Sequence, residues 1–364
     1  MEHRSLAGVN LLHDLFVSKS VITAQLHNKK AFEIPLESIQ SYNYLNNELV
    51  LGLAGEAEEG RDCLTEVRFF QQPSKENQRS QLERVEAALG NRIPDEDSNR
   101  ICTLIDLPFV VPRGKYSADV STDGFLFHGS SYSFHSSFAN VAKCFCLEMP
   151  DKLTVCFVLG FEKPPRQGQT VYRYAVLQFR IDTHIRVEAR EGYGLPPTLH
   201  GPYFEIFATI LRRVGRINLV IPSEFRASPN DTAIACLHGP RQGHIFILQK
   251  SLLFVTKPVV HVRFEHIGKT ELHRVTAKSK AFDLEVTTVA GASYLFGGIE
   301  KALLDKLIAL FRSHGVPVAV AEEEYEPKDD LNDYLPSSDE EEAAKPGAVE
   351  VDSSVEAKAA TRIA

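Results

Sequence analysis

The pattern of hydrophobic and polar positions alternates short β-type runs with single helical stripes. Residues 21–26, 48–53 and 65–70 have the composition and turn-bounded length of strands, and His27-Asn28-Lys29-Lys30 is turn-prone. The period then changes. Leu82, Val85 and Leu89 fall at i, i+3 and i+7, which predicts a helix over about 75–89. Residues 91–100, with Pro94 and mixed charges, read as a linker. The same grammar recurs from Ile101 to about Ile185, with strands predicted at 124–128, 143–147, 154–161 and 171–180. It ends in the stripe Tyr203, Phe204, Phe207, Ile210, Leu211 and Val214, with Arg212, Arg213 and Arg216 off the stripe or at its cationic end. A third block predicts strands at 233–237, 245–248, 252–256, 259–264, 281–287 and 293–296. A helix carrying Ile299, Leu303, Leu304, Leu307, Ile308, Leu310 and Phe311 follows, and Gly315 suits its stop.

Several antiparallel strands followed by one amphipathic helix thus occur three times. A strongly bent antiparallel sheet leaves an open end, and a single helix can close it with its apolar stripe. That is the logic of a pleckstrin-homology-like barrel. The expected fold is mainly β with helical lids: a front module over 1–92, tandem barrels over 101–219 and 225–315, and a tail over 321–364. From Glu322 onward the apolar periodicity stops. Between 321 and 342 there are 11 carboxylates against one lysine, Lys328. Such a stretch cannot bury enough apolar surface to offset its ordering entropy, so disorder is expected there.

Charge sharpens this division. The chain has 364 residues and a formal net charge of −8. Residues 321–364 hold 14 acidic and 4 basic side chains, so the remainder is close to neutral, at +2. This excludes a uniformly acidic protein and a basic nucleic-acid coat. No run reaches the ~18 apolar residues of a membrane span, and the apolar start at 11–17 is broken by His13 and Asp14, so neither a span nor a signal peptide is expected. Six cysteines in a chain of this length make no disulfide framework, and several lie in apolar runs, so we expect reduced thiols of an intracellular protein.

Catalytic and cofactor motifs are missing. Gly52-Leu53-Ala54-Gly55 runs into Glu56, Glu58 and Glu59, which would repel phosphate. Cys144-Phe145-Cys146 puts two thiols on one strand face, but a zinc site needs four ligands and no second pair has suitable spacing. His261, His266 and His273 read as surface or half-buried side chains. There is no nucleophile elbow. No enzyme activity, cofactor or metal is expected.

Two features can bind a partner. In the tail, Tyr325 and Tyr334 lie among Glu322, Glu323, Glu324, Glu326, Asp329, Asp330, Asp333, Asp339, Glu340, Glu341 and Glu342. Exposed ion pairs are worth only ~0.2–1 kcal/mol each, whereas a fully buried ring adds roughly 1.5–3 kcal/mol. The carboxylates would gather a basic partner and the tyrosines would anchor it. Histones fit, and the tail would compete with DNA for them. The second feature is the hairpin-like segment 162–170, stiffened by Pro164-Pro165 and turned at Gly168, which presents Lys163, Arg166, Gln167 and Gln169. A pleckstrin-like fold also raises the alternative of a membrane-surface adaptor binding phosphoinositides. That site needs convergent cations near the first hairpin, and here Arg113 and Lys115 are diluted by Asp119 and Asp123.

Six segments carry a family resemblance: Ala31-Phe32-Glu33-Ile34-Pro35-Leu36, Glu66-Val67-Arg68-Phe69-Phe70, Pro112-Arg113-Gly114-Lys115-Tyr116, Leu126-Phe127-His128-Gly129, Pro165-Arg166-Gln167-Gly168-Gln169-Thr170 with Tyr172 after it, and Lys257-Pro258-Val259-Val260-His261-Val262-Arg263-Phe264. In order and spacing over about 26–311 they resemble the small subunit of the FACT histone chaperone, the structure-specific recognition protein family. The resemblance implies pleckstrin-like modules, of which the front one pairs with the large FACT subunit and the middle tandem contacts histones. It also implies an acidic tail that shields histones from DNA, and a nuclear, chromosome-associated complex that reorganises nucleosomes during transcription, replication and repair. It adds the 162–170 loop to the histone-facing surface. The chain departs from the family in two ways. A further β-rich segment ahead of the part matching 21–70 is missing, and no lysine-rich, tryptophan-bearing HMG box follows Glu342. DNA contact is therefore expected only indirectly, through partners. No basic cluster reads as an import signal, so import is expected to rely on the partner.

Overall fold

The computed structural model describes residues 15–18, 20–26, 29–45, 48–53, 64–70, 100–129, 132–167, 170–255 and 257–321. The helix expected at 75–89, the linker before Arg100, Gly168, Gln169 and the tail from Glu322 lie outside them. The described fold is mainly β with two closing helices.

An eleven-stranded sheet forms the backbone of the front and first middle modules. It runs from the strand Leu219–Val220 through the strands of 100–180 to Ile39–Leu45, Glu48–Leu53 and Glu66–Phe70. The junction is an antiparallel ladder with Ser133 opposite Tyr42 and Phe134 opposite Ser41. Leu126, from the first middle module, is buried in the front module's core beside Leu49, Leu51 and Phe69.

Period-2 alternation explains why the long apolar runs are strands. Thr154–Phe161 is buried at every position. Val155, Phe157 and Leu159 fill the first barrel, while Cys156 and Val158 point into a separate apolar seam. Val141–Glu148 divides likewise, with Cys144 and Cys146 inward and Phe145 and Leu147 in the seam. The second barrel contributes Phe246, Leu253 and Val255 to that seam and keeps Leu252 and Phe254 inside. A strand buried on both faces reads as a continuous hydrophobic run because neither side meets water. Burial pushes the Cys146 thiol up to about 11 and that of Cys156 up to about 12, so both stay protonated at neutral pH.

Each barrel is closed by one helix. The first, α1 (Tyr203–Arg213), buries Tyr203, Ile206, Phe207, Ile210 and Leu211, the i, i+3, i+4, i+7 stripe of an amphipathic helix. Its start is fixed from a distance. The strand Arg100–Val111 changes register between Leu104 and Leu107, Asp106 adopts a φ of 56°, and the Ile105 carbonyl accepts a 2.6 Å hydrogen bond from the Tyr203 hydroxyl. The second helix, α2 (Leu304–Ser313), buries Leu307 and Phe311. Gly315 follows at a φ of 70°, and the Val316 N–H closes the end on the Phe311 carbonyl at 2.9 Å.

Four local expectations shift. Ile299, expected on the closing helix, lies in the strand Ser293–Glu300, and Leu303 ends a short 3-10 turn before α2, because the barrel strand runs on four residues past Phe296. The run predicted at 171–180 is two pieces: Thr170–Val171 belongs to a hairpin, and the barrel strand is Tyr174–Arg180. The strand expected from Ile245 begins at Arg241, because Arg241 through His244 complete a hairpin with Ala235–His238. The strand expected over 259–264 is Val260–Arg263, and Phe264 starts a short 3-10 turn.

Candidate functional site

The hairpin singled out at 162–170 is built on long-range hydrogen bonds. Asn140 clamps its base. The Asn140 side-chain amide donates to the Lys163 carbonyl at 3.0 Å, the Lys163 N–H donates to Asn140 Oδ1 at 2.7 Å, and the Glu162 N–H donates to the Asn140 carbonyl at 3.0 Å. Arg166–Gln167 then pairs with Thr170–Val171. The Tyr172 hydroxyl donates to Gln167 Oε1 at 3.0 Å, and the Ser41 hydroxyl of the front module donates to the Arg166 carbonyl at 2.9 Å. Lys163 is exposed, Arg166 and Gln167 are half-buried, and Gln169 lies outside the described residues. Sequence reasoning missed Asn140 and Ser41, since their contacts with the hairpin span 23 and 125 residues.

The hairpin forms one wall of an open cleft of about 890 Å³ that also takes in Gln40, Leu53 and His261. Lys143, Lys163, Arg166 and Arg173 line it against a single lining carboxylate, Glu162. Among the described residues none of the four cations has an ion-pair partner. Burial lowers the Lys143 ammonium from its ordinary value, Arg263 lowers it further, and Glu265 partly offsets both. His261 is pressed down to about 4, first by burial, then by Lys143, Arg263 and His266. Its ring packs 5.1 Å from that of Phe145, and Nε2 lies 3.0 Å from Ser251 Oγ. It is neutral at pH 7, so the cleft's charge comes from its lysines and arginines.

That depressed value links folding to acid. The unfolded chain binds the His261 proton near 6.5 and the folded chain only near 4. Stability is therefore fully present above 6.5 and falls as pH drops from 6.5 through 4. After allowance for solvent screening of a half-buried ring, the loss is on the order of 2 kcal/mol. His261→Phe is expected to flatten that limb of a denaturation-versus-pH curve, and an unchanged slope would refute the assignment.

Two other groupings fall short of a site. Arg113 and Lys115 share a shallow depression of about 470 Å³ with Arg180. Arg180 already pairs with Asp182 at 3.0 and 2.7 Å, and Lys115 lies 3.8 Å from Asp106, so this patch has little free charge for a phosphoinositide headgroup. Glu271, His273 and Glu285 bring three ligand atoms within 4.8 Å of one another. They are already engaged, His273 with Glu285 at 2.9 Å and Glu271 with Lys269 at 2.9 Å, and the lysine ammonium supplies the charge a metal would bring. Among the described residues no helix is long and apolar enough to cross a membrane.

Comparison with known proteins covers nearly the whole described body. Residues 5–98 match the model of the structure-specific recognition protein (SSRP1), 99–217 that of the SSRP1 PH domain, and 232–320 that of the histone chaperone Rttp106-like middle domain. The FACT complex subunit SSRP1 of Mus musculus is 26% identical over 301 residues, covering 79% of this chain and 42% of that protein. The Caenorhabditis elegans subunit ssrp1-B is 28% identical over 296 residues, covering 77% and 42%. The FACT complex subunit POB3 of Gibberella zeae is 26% identical over 381 residues, covering 90% and 67%. The chain thus spans less than half the length of its animal relatives. A solved structure of the Spt16D Pob3N heterodimer aligns over 52% of this chain and 83% of that one, at 9% identity and a TM-score of 0.23, too loosely to constrain the fold. With three successive family models tiling the body in order, the chain belongs to the structure-specific recognition protein family, that of SSRP1 and Pob3.

Proposed function

We propose that this chain is the small subunit of a FACT-type histone chaperone, acting in the nucleus on chromatin and catalysing no covalent chemistry. The observation that carries the reading is the ordered succession of the three family models over 5–320, followed by the acidic, tyrosine-bearing segment 322–342. Relatives named as FACT complex subunits support it. The division into a front module over 1–92, tandem barrels over 101–219 and 225–315, and a tail over 321–364 belongs to the same proposal, as does pairing of the front module with a large subunit.

The mechanism is equilibrium competition. When other machinery loosens a nucleosome, the carboxylates of Glu322–Glu324, Glu326, Asp329, Asp330, Asp333 and 339–342 occupy basic histone surfaces that DNA vacates, and Tyr325 and Tyr334 anchor them. Lys163, Arg166, Gln167 and Gln169 provide a second contact, whose cations restrict it to acidic parts of a histone surface. DNA is met only through partners.

Co-purification from cells is the direct test: recovery of a large FACT subunit and core histones supports the proposal, and failure to retain histones at physiological ionic strength refutes it. Tyr325→Ala with Tyr334→Ala leaves net charge unchanged and removes two anchors. Histone affinity is expected to fall at least about tenfold by calorimetry at fixed salt. Affinity equal to the parent's would sink the anchor.

A further inference from the structure

The hairpin's exposed edge has no role in the mechanism above. Thr170–Val171 pairs with Arg166–Gln167 in a two-stranded ribbon, and no other described strand joins it. Rungs of an antiparallel ladder alternate between hydrogen-bonded and non-hydrogen-bonded pairs. The Tyr172 N–H donates to the Pro165 carbonyl at 2.9 Å, so the 165/172 rung is hydrogen-bonded and the 166/171 rung is the open kind. Its backbone groups therefore point away from the ribbon on both sides. On the Arg166 side the carbonyl is already taken by the Ser41 hydroxyl. On the Val171 side the N–H and C=O face outward from an exposed residue that lines the cleft.

An unpaired strand edge is a template for another extended chain. The surroundings select its charge, with four cations and one carboxylate lining the cleft. We infer that the Val171 edge and the cations around it form a docking groove for an extended acidic peptide, which adds to the ribbon as a third strand. The peptide's backbone pairs with Val171. Its alternate carboxylates meet Lys143, Arg166 and Arg173, and its other face lies on Leu53 and Pro164. A nucleic acid offers negative charge but no backbone amides for a strand edge. The groove also gives bases little to stack on, since Phe161 is 9% exposed and Tyr174 is half-buried. The groove shares Arg166 with the proposed second histone contact, but it is independent of the acidic tail, whose carboxylates call for a basic partner.

The test uses the full chain and fluorescence anisotropy at physiological salt. The probe is a labelled Glu-Val-Glu-Tyr-Glu-Val-Glu peptide, and a single-stranded oligothymidylate of equal charge is the comparator. Two variants separate charge from edge. Lys143→Gln/Arg166→Gln/Arg173→Gln removes cations, and Val171→Pro removes the outward N–H without altering charge, at a position where an edge strand tolerates proline. Thermal melts confirm that both are folded. The peptide is expected to bind the parent, about tenfold more weakly to the triple variant, and several-fold more weakly to Val171→Pro. Three results would each overturn the inference: no peptide binding to the parent, binding insensitive to Val171→Pro, or tighter binding of the oligothymidylate than of the peptide. Loss of histone binding in the tail variants, with peptide binding intact, would bear on the histone proposal alone.

Discussion

Leu253→Asp is expected to split one cooperative unfolding transition into two. Leu253 is fully buried, yet it faces the seam between the barrels, packed with Phe145, Leu147, Val158, Phe246 and Val255. A carboxylate there would be buried without a partner, a cost of roughly 3–5 kcal/mol. The molecule can avoid that cost by opening the seam and wetting it, because each barrel keeps its own core and closing helix. The next residue behaves differently. Phe254 points into the second barrel against Phe296 at 5.5 Å, and Phe254→Ala has no such escape. Differential scanning calorimetry should show two endotherms for Leu253→Asp, and for Phe254→Ala early loss of the second barrel. A single endotherm at the parent's midpoint for Leu253→Asp would show that the seam does not couple the barrels.

Phe207→Ala should be the most damaging single truncation in the first barrel. Phe207 is fully buried on α1, with its ring 5.2 Å from Phe157, 5.3 Å from Phe179 and 6.1 Å from Phe125. Those rings come from three different strands, so the cavity left behind cannot collapse by moving one element. The expected loss is about 3–5 kcal/mol, which lowers the midpoint by on the order of 10 °C or more. Phe204, one turn-step away and only partly buried, is the control, and its truncation should cost well under half as much. Comparable losses for the two would mean that α1 is not seated as described.

How much of this was legible in the sequence depends on the range of the interaction. The stripe from Tyr203 to Leu211 announces α1, because helical periodicity is local. The run 154–161 announces a strand through its apolar, β-branched and aromatic content. That its two faces serve different purposes is not legible. Cys144 and Cys146 face a barrel interior while Phe145 and Leu147 face the seam, and both sets are equally apolar. The ladder between 133–134 and 41–42 is equally silent, since backbone pairing carries no residue code. For the candidate site, the turn chemistry of Pro164, Pro165 and Gly168 marked the hairpin. The cleft was hidden because Lys143 comes from another strand, Arg173 from the bend after the hairpin, and the Ser41 contact bridges two modules.

The ladder joining Ser133 and Phe134 to Tyr42 and Ser41 has a mechanical consequence. Backbone hydrogen bonds run without a break from Glu66–Phe70 to Leu219–Val220, so a pull on the front rim is carried in-plane, rung by rung, rather than through a pliable tether. Ser41 sits on that load path and grips the Arg166 carbonyl. A protein that seizes the front rim therefore also sets the tilt of a hairpin more than a hundred residues downstream.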